Sequence, residues 1–287
     1  MNETIVDQHL LGALRLPKEG RIYDLDPGRF PGMPQWSGHP TYQITSYRTP
    51  RGVRVAGDQP WLAPEHNKPN ISFMSELIIT GCHIGAHIDA LAHITCGPDD
   101  HWYGGDSANT ALGDFGPTTH DASTIAPIFA RGVLIDVARS LGVERLSKSY
   151  PISLPEFQRA VTEQGVDIRD GDVVLIRTGL MSIWPSKAAW DVSSGSGITL
   201  PVADWLLERG VSALGSDTEA VEVMPSGDPE NPHPIHLRFL IEEGKHLMEC
   251  LYLEELGRDQ VREFLLVVLP PKISGGTGSW IRPVAIV

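Results

Sequence analysis

Apolar and polar positions alternate differently in the two halves of this chain. Up to about residue 130 the apolar residues come in short stretches broken by Gly and Pro, and beyond it they form compact β-branched runs separated by helical stripes. In the first half, Val6 to Leu16 reads as a short helix or arm within residues 1–20, and Arg21 to Leu25 alternates well enough for a strand. Tyr42 to Thr49 and Ile71 to Thr80 have strand composition. In the second half, Gly132 to Val137 and Asp172 to Arg177 are apolar runs bounded by Gly and polar residues, which is the pattern of buried strands. Val211 to Leu214 and Leu265 to Leu269 repeat it. Ser153 with Glu156 three residues on is a capping box, and Leu154, Phe157 and Val161 make the stripe of the helix it starts. A second helix follows Thr199, with Pro201 at its start and Val202, Trp205 and Leu206 on one face. Strands alternating with helices predict an α/β fold.

The connections carry signals of their own. Residues 27–36 are dense in Pro and Gly yet hold Phe30, Met33 and Trp36, as expected of an irregular loop that covers a pocket. Gly97 to Gly105 is turn-rich and is placed as one wall of a site, with His101 a solvated loop residue. The 20-residue connection Thr178 to Gly197 holds Trp184 and Trp190, and connections of that length are usually functional or mobile. With neither an internal repeat nor a linker, the 287 residues read as a single domain.

Composition narrows the partners. Asp and Glu number 36 against 23 Lys and Arg, a net charge of −13 that repels nucleic acid and anionic membranes. Three cysteines, Cys82, Cys96 and Cys250, are too few and too scattered for a disulfide framework or a thiolate zinc site. No signal pattern opens the chain and no apolar run approaches the ~20 residues that span a bilayer, so a soluble cytoplasmic protein is expected.

The chemistry concentrates in Gly81-Cys82-His83-Ile84-Gly85-Ala86-His87-Ile88-Asp89-Ala90-Leu91-Ala92-His93, where three histidines and a carboxylate fall within eleven residues. Neutral imidazoles with a carboxylate suit a divalent ion of the Zn²⁺, Mn²⁺ or Fe²⁺ kind. On one helix Asp89 would point roughly 200° away from His87, at about 100° per residue. On one strand His83 and His93 would stand about 33 Å apart. The expectation is therefore a strand to Thr80, a Gly-rich turn carrying His83 and His87, and a helix start on which Asp89 and His93 are neighbours four residues apart. Far downstream, His233, His236 and Glu249 form a second set of candidate groups.

The stretch His83 to His93 resembles the signature of the cyclase-like metal-dependent hydrolase family, written HxGTHxDxPxH, which includes bacterial kynurenine formamidase and isatin hydrolase. The Gly132 strand, Gly171 to Gly179, Gly215 to Thr218, His236 to Glu249 and the Pro-rich end resemble family blocks in the same order, so the resemblance covers roughly residues 20–287. It implies a swivelling β/β/α fold, a mixed and partly closed sheet flanked by helices. It also implies His83, His87 and Asp89 as metal ligands, His93 as an acid/base group, and His236 and Glu249 as further catalytic residues that complete a second metal site in the zinc-formamidase type or line the pocket in the single-metal isatin type. Ala86 stands where the family has Thr, and Leu91 where it has Pro. The Leu resembles the longer, isatin-hydrolase-like members.

The implied cofactor is Mn²⁺ or Zn²⁺, and the implied assembly a homodimer or homotetramer. A water bound to such an ion drops to a pKa of about 7 and becomes a hydroxide nucleophile. The implied reaction is hydrolysis of a small cyclic or aryl amide, or a lactone, with Trp36, Trp102, Trp184 and Trp190 as candidate walls for an aromatic substrate. Arylformamidase activity on N-formylkynurenine and a non-catalytic metal-binding member are the competing expectations. Without a G-x-S-x-G motif, serine catalysis is not expected.

Overall fold

In the buried strands, side chains of odd and even number part to opposite sides of one sheet. Leu134, Val173, Leu175, Ala213 and Met248 enter one apolar layer, and Val133, Ile135, Val174, Ile176, Leu214 and Leu247 enter the other. This is the period-2 alternation of a pleated strand with apolar matter on both faces. The computed structural model describes residues 8–186 and 194–287.

The sheet is mixed, curled and nine-stranded. Its order is Ile22–Asp24, Val284–Ile286, Glu263–Val268, Ile128–Asp136, Val173–Arg177, Ala213–Ser216, Leu247–Glu249, His87–Asp89 and Gly278–Trp280. The four strands from Ile128–Asp136 to Leu247–Glu249 run parallel, and the strands on either side of them are antiparallel. Helices Leu154–Gln164 and Leu200–Leu207 cover one face through Phe157, Ala160, Val202, Ala203 and Leu206. The expected capping box closes the first of them: Ser153 N–H and Oγ both donate to Glu156 Oε2, at 3.0 and 2.5 Å. The α/β sheet flanked by helices is the fold expected from the sequence. No helix among the described residues is long and apolar enough to cross a membrane.

Several boundaries differ from expectation. The predicted strands at 211–214 and 265–269 lie at Ala213–Ser216 and Glu263–Val268. The helix start expected to carry Asp89 is instead a strand, His87–Asp89, paired on both sides. Its partners, Leu247–Glu249 and Gly278–Trp280, lie about 160 and 190 residues away in sequence, so tertiary pairing overrides the local turn signal. The N-terminal helix spans Gln8–Ala13. In the 178–197 connection, Leu180–Ile183 forms a 3-10 turn and Gly197–Ile198 pairs with Pro151–Ile152. Trp190 lies outside the described residues.

Among the described residues, strands Gln43–Arg48 and Ser75–Ile79 pair only with each other. Ile44 opposes Ile78 on one face of this ribbon, while Leu77 and Ile79 sit on the other, and all four are exposed.

Candidate metal centre

The His87–Asp89 strand is fully buried, with Ile88 in the apolar layer and His87 and Asp89 turned to the opposite face. Glu249 stands directly across from His87 in the neighbouring strand. His236 arrives from a helix that starts at Pro234 and continues over Leu237–Glu242 with π geometry. His87 Nε2 lies 3.3 Å from Glu249 Oε2 and 3.6 Å from Asp89 Oδ1. His236 Nε2 lies 3.3 Å from Glu249 Oε1 and 3.9 Å from Asp89 Oδ2.

The orientation of both imidazoles is fixed from behind. His87 Nδ1 donates to the carbonyl of Gly85 at 2.8 Å, and His236 Nδ1 to Glu222 Oε1 at 2.5 Å. Each ring thus spends its Nδ1 proton on an anchor and turns Nε2 toward the two carboxylates, the arrangement in which an outer partner sets the tautomer of a metal-binding histidine. Gly85 makes this possible locally, because its φ of +61° turns its carbonyl back under the His87 ring. Arg29 holds the same turn from the 27–36 loop, with Nε donating to the Ile84 carbonyl at 3.0 Å, a further hydrogen bond to Ala86, and an ion pair to Asp26.

His83 enters from the other side. Its Nδ1 meets Asp89 Oδ1 at 2.9 Å and its Nε2 meets Thr277 Oγ1 at 3.0 Å. The ring stacks on His93 with centroids 3.9 Å apart, and on His39 at 5.0 Å. Gly278, paired with Asp89, gives the His83 ring its place: a Cβ there would come within 2.5 Å of His83 Cε1.

A cation fits this donor set. Among the described residues, buried Asp89 Oδ2 and Glu249 Oε1 accept no hydrogen bond. Two buried carboxylates face two imidazole lone pairs, which repel unless positive charge stands between them. Protons supply that charge when no ion does. Burial pulls His87 down, but Glu249 and Asp89 outweigh it and hold the imidazole at about 9. Burial likewise opposes charging of His236, and Glu222 and Glu249 carry it well above its usual range. Burial raises the Asp89 carboxyl; the same burial of Glu249 is overcome by His236 and His87, which keep it low. His93 is pulled by burial to about 3 and stays neutral. Three groups of three ligand atoms could each hold an ion: His87 with Asp89 and Glu249, His83 with Asp89 and His93, these two sharing Asp89, and Glu222 with His233 and His236.

All six sequence-predicted polar site residues, His83, His87, Asp89, His93, His236 and Glu249, therefore meet in one place. Together with His39, His233, Ile94, Met224 and Pro225, five of them line a cavity of about 380 Å³, Asp89 lying beneath it. The tryptophans divide. Trp36, 51% exposed, stands at the cavity wall, T-shaped against His39. Trp102 does not line it: it is 3% exposed, packed with Ala92 and Ala111, and donates Nε1 to Thr119. The 97–105 loop therefore props the site from outside rather than walling it. Trp184 also stands off the cavity, donating Nε1 to the Pro27 carbonyl and packing on Phe30.

His39 and Glu222 are absent from the sequence prediction. No spacing signal marks either, because His39 is brought in by stacking and Glu222 by a short bridge to Ile198. The two departures from the family signature are harmless in place. Ala86 belongs to the apolar layer on the far side of the strand, and Leu91 packs against the other apolar layer, so neither removes a contact to a ligand.

The model of the family described as "Putative cyclase" matches residues 23–223. No curated protein sequence matches the chain. Among solved structures, one titled as a novel cyclase superposes with a TM-score of 0.84 at 24% identity, covering 99% of this chain and 94% of its own. Isatin hydrolase A from Ralstonia solanacearum gives 0.66 at 22% identity, covering 92% and 91%. An isatin hydrolase bound to the product analogue thioisatinate gives 0.65 at 21%, covering 94% and 93%.

Proposed function

Since the chain belongs to the cyclase family, we propose that it is a metal-dependent hydrolase that opens a small cyclic or aryl amide, or a lactone, in the cavity above Asp89. The observation that carries this reading is a pair of buried carboxylates facing the Nε2 atoms of His87 and His236, with Asp89 Oδ2 and Glu249 Oε1 accepting no hydrogen bond among the described residues. That arrangement calls for a divalent cation, and Mn²⁺ or Zn²⁺ suits imidazole with carboxylate. His87, Asp89, Glu249 and His236 would hold it, with His83 and His93 as the adjoining group around Asp89. When bound, the ion would supply an acidified water and polarise the scissile carbonyl.

The chain's own residues do the rest. His93, neutral and on the cavity wall, accepts a proton from the attacking water and returns it to the leaving nitrogen or oxygen. Burial keeps His93 neutral and so free to accept, and the Asp89 carboxylate offsets part of the cost of charging it. The cavity has room for a fused bicyclic ring, and Trp36 with Ile94 and Met224 offers it an apolar wall. The structural likeness to isatin hydrolases favours a cyclic amide over N-formylkynurenine.

Metal analysis of the purified protein, followed by hydrolysis assays on isatin, N-formylkynurenine and a simple lactone, tests the proposal. Near-stoichiometric Mn²⁺ or Zn²⁺ is expected, lost in His87→Ala and Asp89→Ala. Full metal content in both variants would sink the assignment. Replacement of His93 by Ala should spare the metal and depress turnover by ~10²–10⁴-fold.

We also propose that two copies associate through the ribbon of Gln43–Arg48 and Ser75–Ile79. An isolated two-stranded ribbon is marginal in water, and this one exposes apolar side chains on both faces. Residues 43–79 carry four basic and three acidic side chains, against 23 and 36 in the whole chain, so the ribbon meets an acidic second copy without repulsion.

A further inference from the structure

Three N–H groups converge on one buried carboxylate beside the metal centre. Glu222 is 1% exposed; its Oε1 accepts from His233 Nδ1 at 3.0 Å and from His236 Nδ1 at 2.5 Å. Its Oε2 accepts from the backbone N–H of Ile235 at 2.8 Å. With three groups converging on its two oxygens the Glu222 carboxylate is the acceptor, so both imidazoles carry a proton on Nδ1. With a cation in place of the proton at the centre both Nε2 atoms are then acceptors, and they point to different places. His236 Nε2 faces Asp89 and Glu249. His233 lines the cavity with its side chain 38% exposed, and among the described residues its Nε2 has no hydrogen-bond partner.

The backbone around Glu222 is built to hold it still. Val221 sits at φ +55°, a left-handed conformation that a β-branched residue adopts only when its surroundings impose it. The Ile198 bridge and Gly197 impose it here: a Cβ at Gly197 would come within 2.3 Å of the Glu222 carbonyl carbon.

We propose that Glu222 is a positioning residue that fixes two histidines at once, turning His236 Nε2 to the metal centre and His233 Nε2 to the cavity as the acceptor for an N–H or O–H of the substrate. This rests on the hydrolase reading above and deepens it, because it selects amides that carry a free N–H over their N-alkylated counterparts. Glu222→Gln is the informative substitution, being isosteric yet unable to serve three donors. With its NH₂ toward Ile235, two donors face each other. With its NH₂ toward the histidines, both are driven to the Nε2–H tautomer and His236 loses its ligand lone pair.

Two measurements test the two halves. Zn²⁺ affinity of the metal-free protein, read by competition with a chromophoric chelator, should fall ~10–100-fold in Glu222→Gln and stay at the wild-type value in His233→Ala. Binding of isatin and N-methylisatin to the Zn²⁺-loaded protein should favour isatin about tenfold, and His233→Ala should erase that preference. Wild-type Zn²⁺ affinity in folded Glu222→Gln overturns the first half. A wild type that binds the pair equally, or binds neither, overturns the second, which stands even if Glu222→Gln does not fold. Absence of Zn²⁺ binding by the wild type is a separate result: it brings down the hydrolase reading and this inference with it.

Discussion

Gly278→Ala places one methyl group against the most constrained ring of the site. The added Cβ would lie 2.5 Å from His83 Cε1, 2.9 Å from Nε2 and 3.0 Å from Nδ1. Ordinary carbon contacts are at about 3.5–4.0 Å, so ring and strand must separate by roughly 1 Å. The ring has nowhere to retreat: His93 is stacked on its face at 3.9 Å, and Asp89 and Thr277 bind its two nitrogens at 2.9 and 3.0 Å. Overpacking of this kind costs about 1–3 kcal/mol, and a displacement of ~1 Å at a catalytic group costs ~10²-fold in rate. Metal affinity should fall as well, because the ring that moves is hydrogen-bonded to Asp89, the carboxylate shared by two of the three ligand groups. Chelator competition, thermal melting and turnover on the best substrate of the screen are the assays. The decisive control is the double variant His83→Ala with Gly278→Ala. Truncating the ring makes room for the methyl, so the double variant should be no worse than His83→Ala alone. Additive effects, or a Gly278→Ala protein with wild-type metal affinity and turnover, would refute the steric reasoning.

The remaining predictions concern stability and assembly. Burial holds the Asp217 carboxyl at about 6 despite hydrogen bonds from Thr178 and Gly179, above its ordinary 3.8. The folded state therefore keeps this proton where the unfolded chain has lost it. The stabilisation is complete below pH 3.8 and disappears as pH rises through about 6, a change of ~3 kcal/mol for two pKa units. Asp217→Asn, neutral throughout, should gain on the wild type by about that amount between pH 4 and 6 in urea melts, and a constant difference would contradict the assignment. Leu77→Arg on the exposed ribbon should convert the associated form to a monomer in sedimentation at micromolar concentration, with its fold unchanged by circular dichroism; a wild type already monomeric there refutes association through the ribbon.

What the sequence could reveal of this fold depended on how far away each determinant lies. The capping box of Ser153 and Glu156 and the runs at 132–137 and 172–177 are local, and the structure realises each within a few residues. The ligand cluster was legible because four of its six residues fall within 83–93 and the other two within 236–249, though its backbone was not. Asp89 follows a Gly-rich turn that locally favours a helix start, and only pairing with Glu249's strand on one side and Gly278's on the other makes it extended. That pairing puts His87 and Asp89 on one face, two residues apart, while His83 reaches the same carboxylate from the preceding turn. The anchors were invisible for the same reason. Gly85 holds His87 through a carbonyl, Glu222 holds His236 across 14 residues, and Gly278 makes room for His83 by lacking a Cβ. None of these three has a residue type that marks it as functional, yet each decides where a lone pair points. A metal centre of this kind is therefore written twice in the chain: in the clustered ligands, which composition exposes, and in the scattered positions that orient them, which only the folded register brings together.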